Sequence, residues 1–292
     1  MKRFFLLSAM LISIVQFSGC NDVVGVNDDS KKQSNEANLP LALSFPVDEE
    51  GSVGVQGFRA AQVNNTLKMV WNDEFNGNTL DDSKWSPAPE WPRQGGSHWS
   101  DDNFEMTGQG QVKLKVTEKN GKVYAGAIRT HKKFDQKYGY FEVRCKLPEI
   151  RGGWAAFWLM PYGNNPGSWG DDGTEIDVFE SINGWNGKIN HALHWDGYGS
   201  QHQKASQSID RPDLYDGQYH VFGMLWTPKE YIFYIDNVES WRSSAGGVAD
   251  VNQYLKLTLE VSDGTWAGNW NCLLYTSPSP RDSDSSRMPS SA

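Results

Sequence analysis

What most constrains the fold of this chain is a two-residue period that recurs between its turns, with no competing helical period. Val112, Leu114 and Val116 interleave with Lys113 and Lys115, and Leu255, Leu257, Leu259 and Val261 interleave with Lys256, Thr258 and Glu260. Phe141, Val143, Cys145 and Leu147 alternate in the same way with Glu142, Arg144 and Lys146. Side chains on a strand point alternately to opposite faces, so each run predicts a strand with one buried face. The runs 219–226 and 231–235, joined by Thr227-Pro228-Lys229-Glu230 and ended by Asp236-Asn237, read as a hairpin. No amphipathic pattern extends beyond two helical turns. Many short strands divided by Gly and Pro turns predict an all-β fold of two packed sheets, a sandwich or jelly roll.

Composition divides the chain. Residues 1–19 carry Lys2 and Arg3, then an apolar run ending at Phe17, and read as a secretory signal too short to span a membrane. Ser18-Gly19-Cys20 resembles a bacterial lipobox, with Phe17 where the usual pattern has Leu. That resemblance implies an exported lipoprotein, lipidated at Cys20 and held at the outer membrane, cell surface or periplasm by this anchor alone. An ordinary cleaved signal is the alternative. Residues 20–65, rich in Asn, Asp, Ser, Gly and Val, read as a flexible tether. Residues 66–271, about 205 in all, suffice for one sizeable core. Residues 272–292 back-translate in one frame to two stretches of a sequencing-library adapter, at 272–282 and 286–292, and are expected to be read-through and not native sequence. A Ser/Pro-rich disordered tail is the alternative.

Net charge is −9, and no Lys/Arg cluster with interleaved aromatics occurs, so nucleic acid is not an expected partner. Cys145 is the one cysteine of the predicted domain, and its place in an alternating run makes it a small buried hydrophobe. No disulfide framework or cysteine-based metal site is available.

Chemistry is concentrated in Glu175-Ile176-Asp177-Val178-Phe179-Glu180, three carboxylates spaced ExDxxE. β-Branched and aromatic residues between turn residues predict a strand, on which 175 and 177 share a face and 180 falls on the other. A β-bulge near Val178 or Phe179 restores the parity and brings all three acids to one face. On a helix, 175 and 180 would lie about 140° apart. Converging carboxylates suit glycoside hydrolysis, in which a retaining enzyme holds its pair roughly 5 to 5.5 Å apart and an inverting one roughly 6.5 to 9.5 Å. A solvated strand kept soluble by its acids is the alternative.

Thirteen tryptophans accompany this motif. Trp154 and Trp158 flank Ala155-Ala156-Phe157, Trp169 and Trp185 bracket the acidic strand, and Trp91, Trp99, Trp266 and Trp270 lie in Gly-rich loops. An indole face stacks on the apolar face of a pyranose, so the loop tryptophans are expected to bind sugar, while Trp71 and Trp226 are expected in the core.

Together these stretches resemble glycoside hydrolase family 16. The resemblance runs from Leu67 to Asn271 through Val70-Trp71-Asn72-Asp73-Glu74-Phe75, Ala127-Ile128-Arg129-Thr130, Tyr138-Gly139-Tyr140-Phe141, Gly153-Trp154-Ala155-Ala156-Phe157-Trp158, the acidic strand and Tyr231-Ile232-Phe233-Tyr234. It implies a concanavalin-like β-jelly roll of two antiparallel sheets with a concave substrate cleft. The implied activity is retaining endo-glycanase hydrolysis of a polysaccharide by a monomer, with Glu175 as nucleophile, Glu180 as general acid/base and Asp177 between them. It further implies substrate contacts from Arg129, Trp154, Trp158 and Trp169. His194 and Glu260 have parities that could face the cleft; a structural histidine and a solvated glutamate are their alternatives. The six-residue motif resembles the laminarinase, agarase and carrageenase branches. A β-1,3- or mixed-linkage glucan is the expected substrate, a red-algal galactan the alternative, and a non-catalytic carbohydrate-binding jelly roll the rival class. No cofactor or catalytic metal is needed, since two carboxylates suffice. Some family members bind a structural calcium on the convex side, which this sequence does not locate. Family members also end in a strand of the type Val-Asp-Tyr-Val-Arg-Val-Tyr, absent here, so this chain is expected to be unstable or poorly active.

Overall fold

A computed structural model describes residues 5–17, 67–148, 152–162, 173–182, 187–262 and 267. Its strands, in chain order, are β1 (Phe5–Phe17), β2 (Leu67–Asp73), β3 (Ser86–Pro87), β4 (Ser97–Trp99), β5 (Phe104–Met106) and β6 (Val112–Lys119). There follow β7 (Lys122–Ala125), β8 (Ala127–Arg129), β9 (Gly139–Lys146), β10 (Gly153–Pro161), β11 (Glu175–Ile182) and β12 (Lys188–Trp195). The last are β13 (Gln203–Asp210), β14 (His220–Trp226), β15 (Tyr231–Ile235), β16 (Val238–Ser243) and β17 (Gln253–Val261). Helical structure among the described residues is confined to 3-10 turns, at Gln94–Gly96, Asp101–Asn103 and Pro212–Tyr215. No helix there is long and apolar enough to cross a membrane.

Two sheets form. One has ten strands, ordered β16-β15-β14-β9-β1-β6-β7-β4 with β2 on β1 and β5 on β6; the other has seven, ordered β13-β12-β11-β10-β17-β8-β3. All pairings are antiparallel except β4 with β7. The alternating runs read from the sequence set the faces. On β6, Val112, Leu114 and Val116 are buried while Lys113 and Lys115 are half-buried, and on β9 Phe141, Val143 and Cys145 are buried. The expected hairpin is present as β14 and β15, with Trp226 opposite Tyr231. Between the sheets, Phe179 of β11 meets Phe222 of β14 with ring centroids 4.1 Å apart.

β17 differs from the sequence expectation, and the segment expected to be an export signal pairs as a strand. Phe5–Phe17, read as an export signal, is a strand between β6 and β9, with Ala9 opposite both Val112 and Cys145. A run of Leu, Ile, Val and Phe suits a strand as well as a signal's apolar stretch, and local sequence does not separate the two. On β17 the alternation holds but both faces are buried: Leu255, Leu257 and Leu259 enter the core, and Lys256, Thr258 and Glu260 lie under 4% exposed on the other face. That second face floors the cleft and does not meet bulk solvent. The expected tether and tail lie outside the described residues, as does Cys20.

Candidate active site

The site starts from one surplus residue on β11. Against β10, Asp177 stands opposite Trp158 and Phe179 opposite Phe157, so Val178 has no partner of its own. Against β12, Asp177 faces Ala192 and Glu180 faces Asn190, three steps along one strand for two along the other. This is a β-bulge, and it returns Glu180 to the face of Glu175 and Asp177 while Ile176, Val178 and Phe179 stay in the core. A bulge leaves backbone polar groups without their ladder partner. Here the Val178 carbonyl lies 2.6 Å from His191 Nδ1, and His191 Nε2 lies 2.9 Å from Ser240 Oγ. Burial holds the His191 pKa down to about 4, so the ring is neutral, with Nδ1–H donating to Val178 and Nε2 accepting from Ser240.

The three acids differ in their partners. Glu180 accepts from Trp154 Nε1 at 3.0 Å and from Asn190 Nδ2 at 2.8 Å. Glu175 accepts from the Tyr198 hydroxyl on Oε2. Asp177, between them, is 4% exposed, and its Oδ2 has no hydrogen-bond partner. Burial raises all three pKa values: Glu180 to about 7, with its two donors working against the rise, and Asp177 well above the ordinary range, with Glu180 and Glu175 adding to burial. Glu175 is also raised, though Tyr198, Lys256 and Arg93 oppose its burial. Burial therefore shifts all three toward the protonated form, which it would not do to a row of solvated surface acids.

The rest of the cleft comes from β10, β17 and the loop before β4. Trp154 and Trp158 stand on β10, and Trp158 Nε1 donates to Thr258 Oγ1 at 3.1 Å. Lys256 Nζ lies 3.6 Å from the Trp158 ring centroid and 4.9 Å from that of Trp99. Glu260 is 2% exposed, pairs with Arg93 Nε at 3.0 Å through Oε1, and keeps Oε2 without a hydrogen-bond partner. Its solvated alternative is thus corrected.

Other expected residues are placed differently. Arg129 lies on β8 opposite Lys256 and is not among the residues lining the cleft. His194 stands opposite Glu175 and is not among the residues lining the cleft: its Nδ1 lies 2.8 Å from His202 Nε2, and its Nε2 lies 3.5 Å from Asp177 Oδ2. Because burial holds His194 at a pKa of about 4 and Asp177 well above its usual value, that approach joins two neutral groups and is not an ion pair. Trp99, expected to bind sugar, is fully buried on β4 under Arg93, whereas Trp91 lines the cleft at 38% exposed. Trp169, Trp185, Trp266 and Trp270 lie outside the described residues. Sequence reasoning missed Arg93, Asn190, His191, Tyr198 and Lys256. Lys256 was findable, since it shares its parity with Glu260; Tyr198 carried only the turn signal of Asp196-Gly197.

The sequence profile of glycosyl hydrolases family 16 matches residues 93–283. The chain belongs to this family. Among curated relatives, glucan endo-1,3-beta-glucosidase A1 of Niallia circulans is 28% identical over 194 residues, 58% of this chain and 28% of that protein. Beta-porphyranase B of Zobellia galactanivorans is 25% identical over 284 residues, 86% of this chain and 90% of that protein. The chain spans between 28% and 63% of the length of five curated relatives, the Niallia protein among them. Among solved structures, a family 16 endo-glucanase from Bacteroides ovatus in complex with G4G3G-2F-DNP superposes with a TM-score of 0.55 at 25% identity, covering 65% of this chain and 85% of that one. The two-sheet architecture is thus that of family 16 jelly rolls.

Proposed function

We propose that this family 16 chain is a retaining endo-β-glycanase that cuts internal bonds of a polysaccharide by double displacement. The observation that carries the reading is the bulge at Val178, which gathers three buried carboxylates with different partners on one face of a cleft walled by Trp154 and Trp158. Glu175 attacks the anomeric carbon as Glu180 gives its proton to the departing glycosidic oxygen, and a glycosyl ester forms on Glu175. Glu180, now a carboxylate, takes a proton from water, the water oxygen bonds to the anomeric carbon, and the ester electron pair returns to Glu175. Asp177, between them, is placed to share a proton with either neighbour, so that the two glutamates hold different protonation states.

The substrate we propose is a β-1,3- or mixed-linkage β-1,3-1,4-glucan, a reading supported by the names of relatives such as the Niallia glucosidase. A red-algal galactan is the second reading, favoured by the porphyranase alignment, which runs through 86% of this chain against 58% for the glucosidase. Export and lipid anchoring at Cys20 are also proposed, supported by Lys2-Arg3, the apolar run after them and Ser18-Gly19-Cys20. Release of reducing ends from laminarin, mixed-linkage glucan, agarose, porphyran and carrageenan tests the substrate. Activity on none of them would count against the enzyme reading. Glu175→Gln is expected to abolish turnover while oligosaccharide binding stays within about fewfold; equal loss of both would assign the residue a structural role.

A further inference from the structure

We propose that Tyr198 is the positioning residue of the nucleophile, and that the 196–202 loop exists in this chain to present its hydroxyl to Glu175. The inference rests on the reading of Glu175 as nucleophile.

The loop is built for this placement. Asp196 and Gly197 follow β12 in succession with φ of 61° and 70°, a left-handed pair that turns the chain back over its own strand. Glu175 stands opposite His194 across the ladder, so a chain reversing just beyond His194 passes the first carboxylate of β11. Tyr198 Oη donates to Glu175 Oε2 and lies 3.7 Å from Met160 Sδ. The residue is 51% exposed, so burial of its ring is not what holds it there. A second contact docks the loop: His202 stacks on His194 with centroids 5.0 Å apart and 8° between planes, Nε2 of one facing Nδ1 of the other at 2.8 Å. The Tyr198 ring lies 5.9 Å from that of His202. One loop therefore touches the first carboxylate directly and reaches the second through His194, whose Nε2 is 3.5 Å from Asp177.

The chemistry follows from a fixed donor at a carboxylate that must lose its proton, attack, and leave again. Glu175 is faced by Asp177 and Glu180 on its own strand, Glu260 and Lys256 on β17, Arg93 from the loop before β4, and neutral His194 on β12. The acids disfavour its charge and the cations favour it. Desolvation of the hydroxyl where it meets Glu175, together with the charge of that carboxylate, keeps the phenol protonated far above neutral pH, so Tyr198 is a donor throughout the cycle. Its hydrogen bond to Oε2 lowers the proton affinity of the carboxylate and leaves Oε1 for the anomeric carbon. In the second half of the cycle the C1–Oε1 bond breaks, the electron pair returns to the carboxylate, water supplies the new C1–O bond and its proton passes to Glu180. The O–H of Tyr198 is then aimed at the oxygen of the departing carboxylate, where it stabilises the charge that develops.

Tyr198→Phe removes that donor and keeps the half-exposed ring. The acid limb of kcat/KM is expected to move to higher pH, kcat to fall about ten- to a hundredfold, and the glycosyl ester on Glu175 to accumulate in acid-quenched steady-state samples read by mass spectrometry. Gln201→Ala, on the same loop, is expected to change none of these. Glu175→Ala with added azide tests the underlying reading separately, because azide taking the place of the missing nucleophile yields the α-glycosyl azide. Azide rescue together with an unmoved acid limb and unchanged kcat in Tyr198→Phe would overturn the role of Tyr198 and leave Glu175 in place. Failure of azide rescue would overturn the assignment of Glu175 itself.

Discussion

Glu180 is a carboxyl group that its surroundings pull in two directions. Burial favours the protonated form, which the first chemical step needs, while Asn190 and Trp154 donate to the charged form, which the second step needs. Activity is expected to fall as pH rises through about 7, where Glu180 loses its proton. It is expected to fall also on the acid side, at a pH above the ordinary glutamate value of 4.5, as Glu175 becomes protonated. Three adjacent acids titrate together, so each limb belongs to the group and not to one residue. Asn190→Ala deletes a donor to the anion, which raises the proton affinity of Glu180 and is expected to carry the alkaline limb of kcat/KM to higher pH. Movement to lower pH would mean that Asn190 serves the neutral acid through its carbonyl oxygen. Lys256→Met removes a cation facing Glu175 and Glu260 and is expected to raise the acid limb, measured in the same profiles. At this scale the three acids and Glu260 were legible because strand parity, once a bulge is allowed, assigns each a face. Trp99 was not, because a tryptophan in a Gly-rich segment reads the same whether it caps a core or meets a sugar.

The element that matters most is β11 with its surplus Val178. Chemistry demanded the kink, since three acids at that spacing share a face only if one residue is left over. What the sequence did not disclose is how the kink is held. His191 sits one strand away, fully buried against Phe233 and Trp241, and gives the bulge carbonyl its hydrogen bond. Pairing across strands depends on register, which the alternation alone leaves open. His191→Leu strands the Val178 carbonyl at a cost of about 1–3 kcal/mol and is expected to lower both the melting temperature and kcat. Asparagine, with a shorter donor arm, is expected to recover part of the stability. An unchanged melt and kcat in His191→Leu would show that the bulge is held by the sheet alone. β17 teaches the complementary lesson: its period was read correctly, but a polar face on a central strand became a cleft floor because the seven-stranded sheet has a second, covered side.

At the scale of the molecule, two sheets and a single core were legible from strand periodicity, and the order of the strands was not, because pairing partners lie far apart in sequence. The ten-stranded sheet is closed between β6 and β9 by β1, the segment also read as an export signal. The claim on which the functional account turns is that the kinked strand sets two glutamates on one sugar in succession, so that each bond is displaced twice. Proton NMR of the first oligosaccharides released from the preferred polysaccharide, recorded before mutarotation, tests it most directly. New reducing ends in the β configuration are predicted, and α-configured ends would contradict the account.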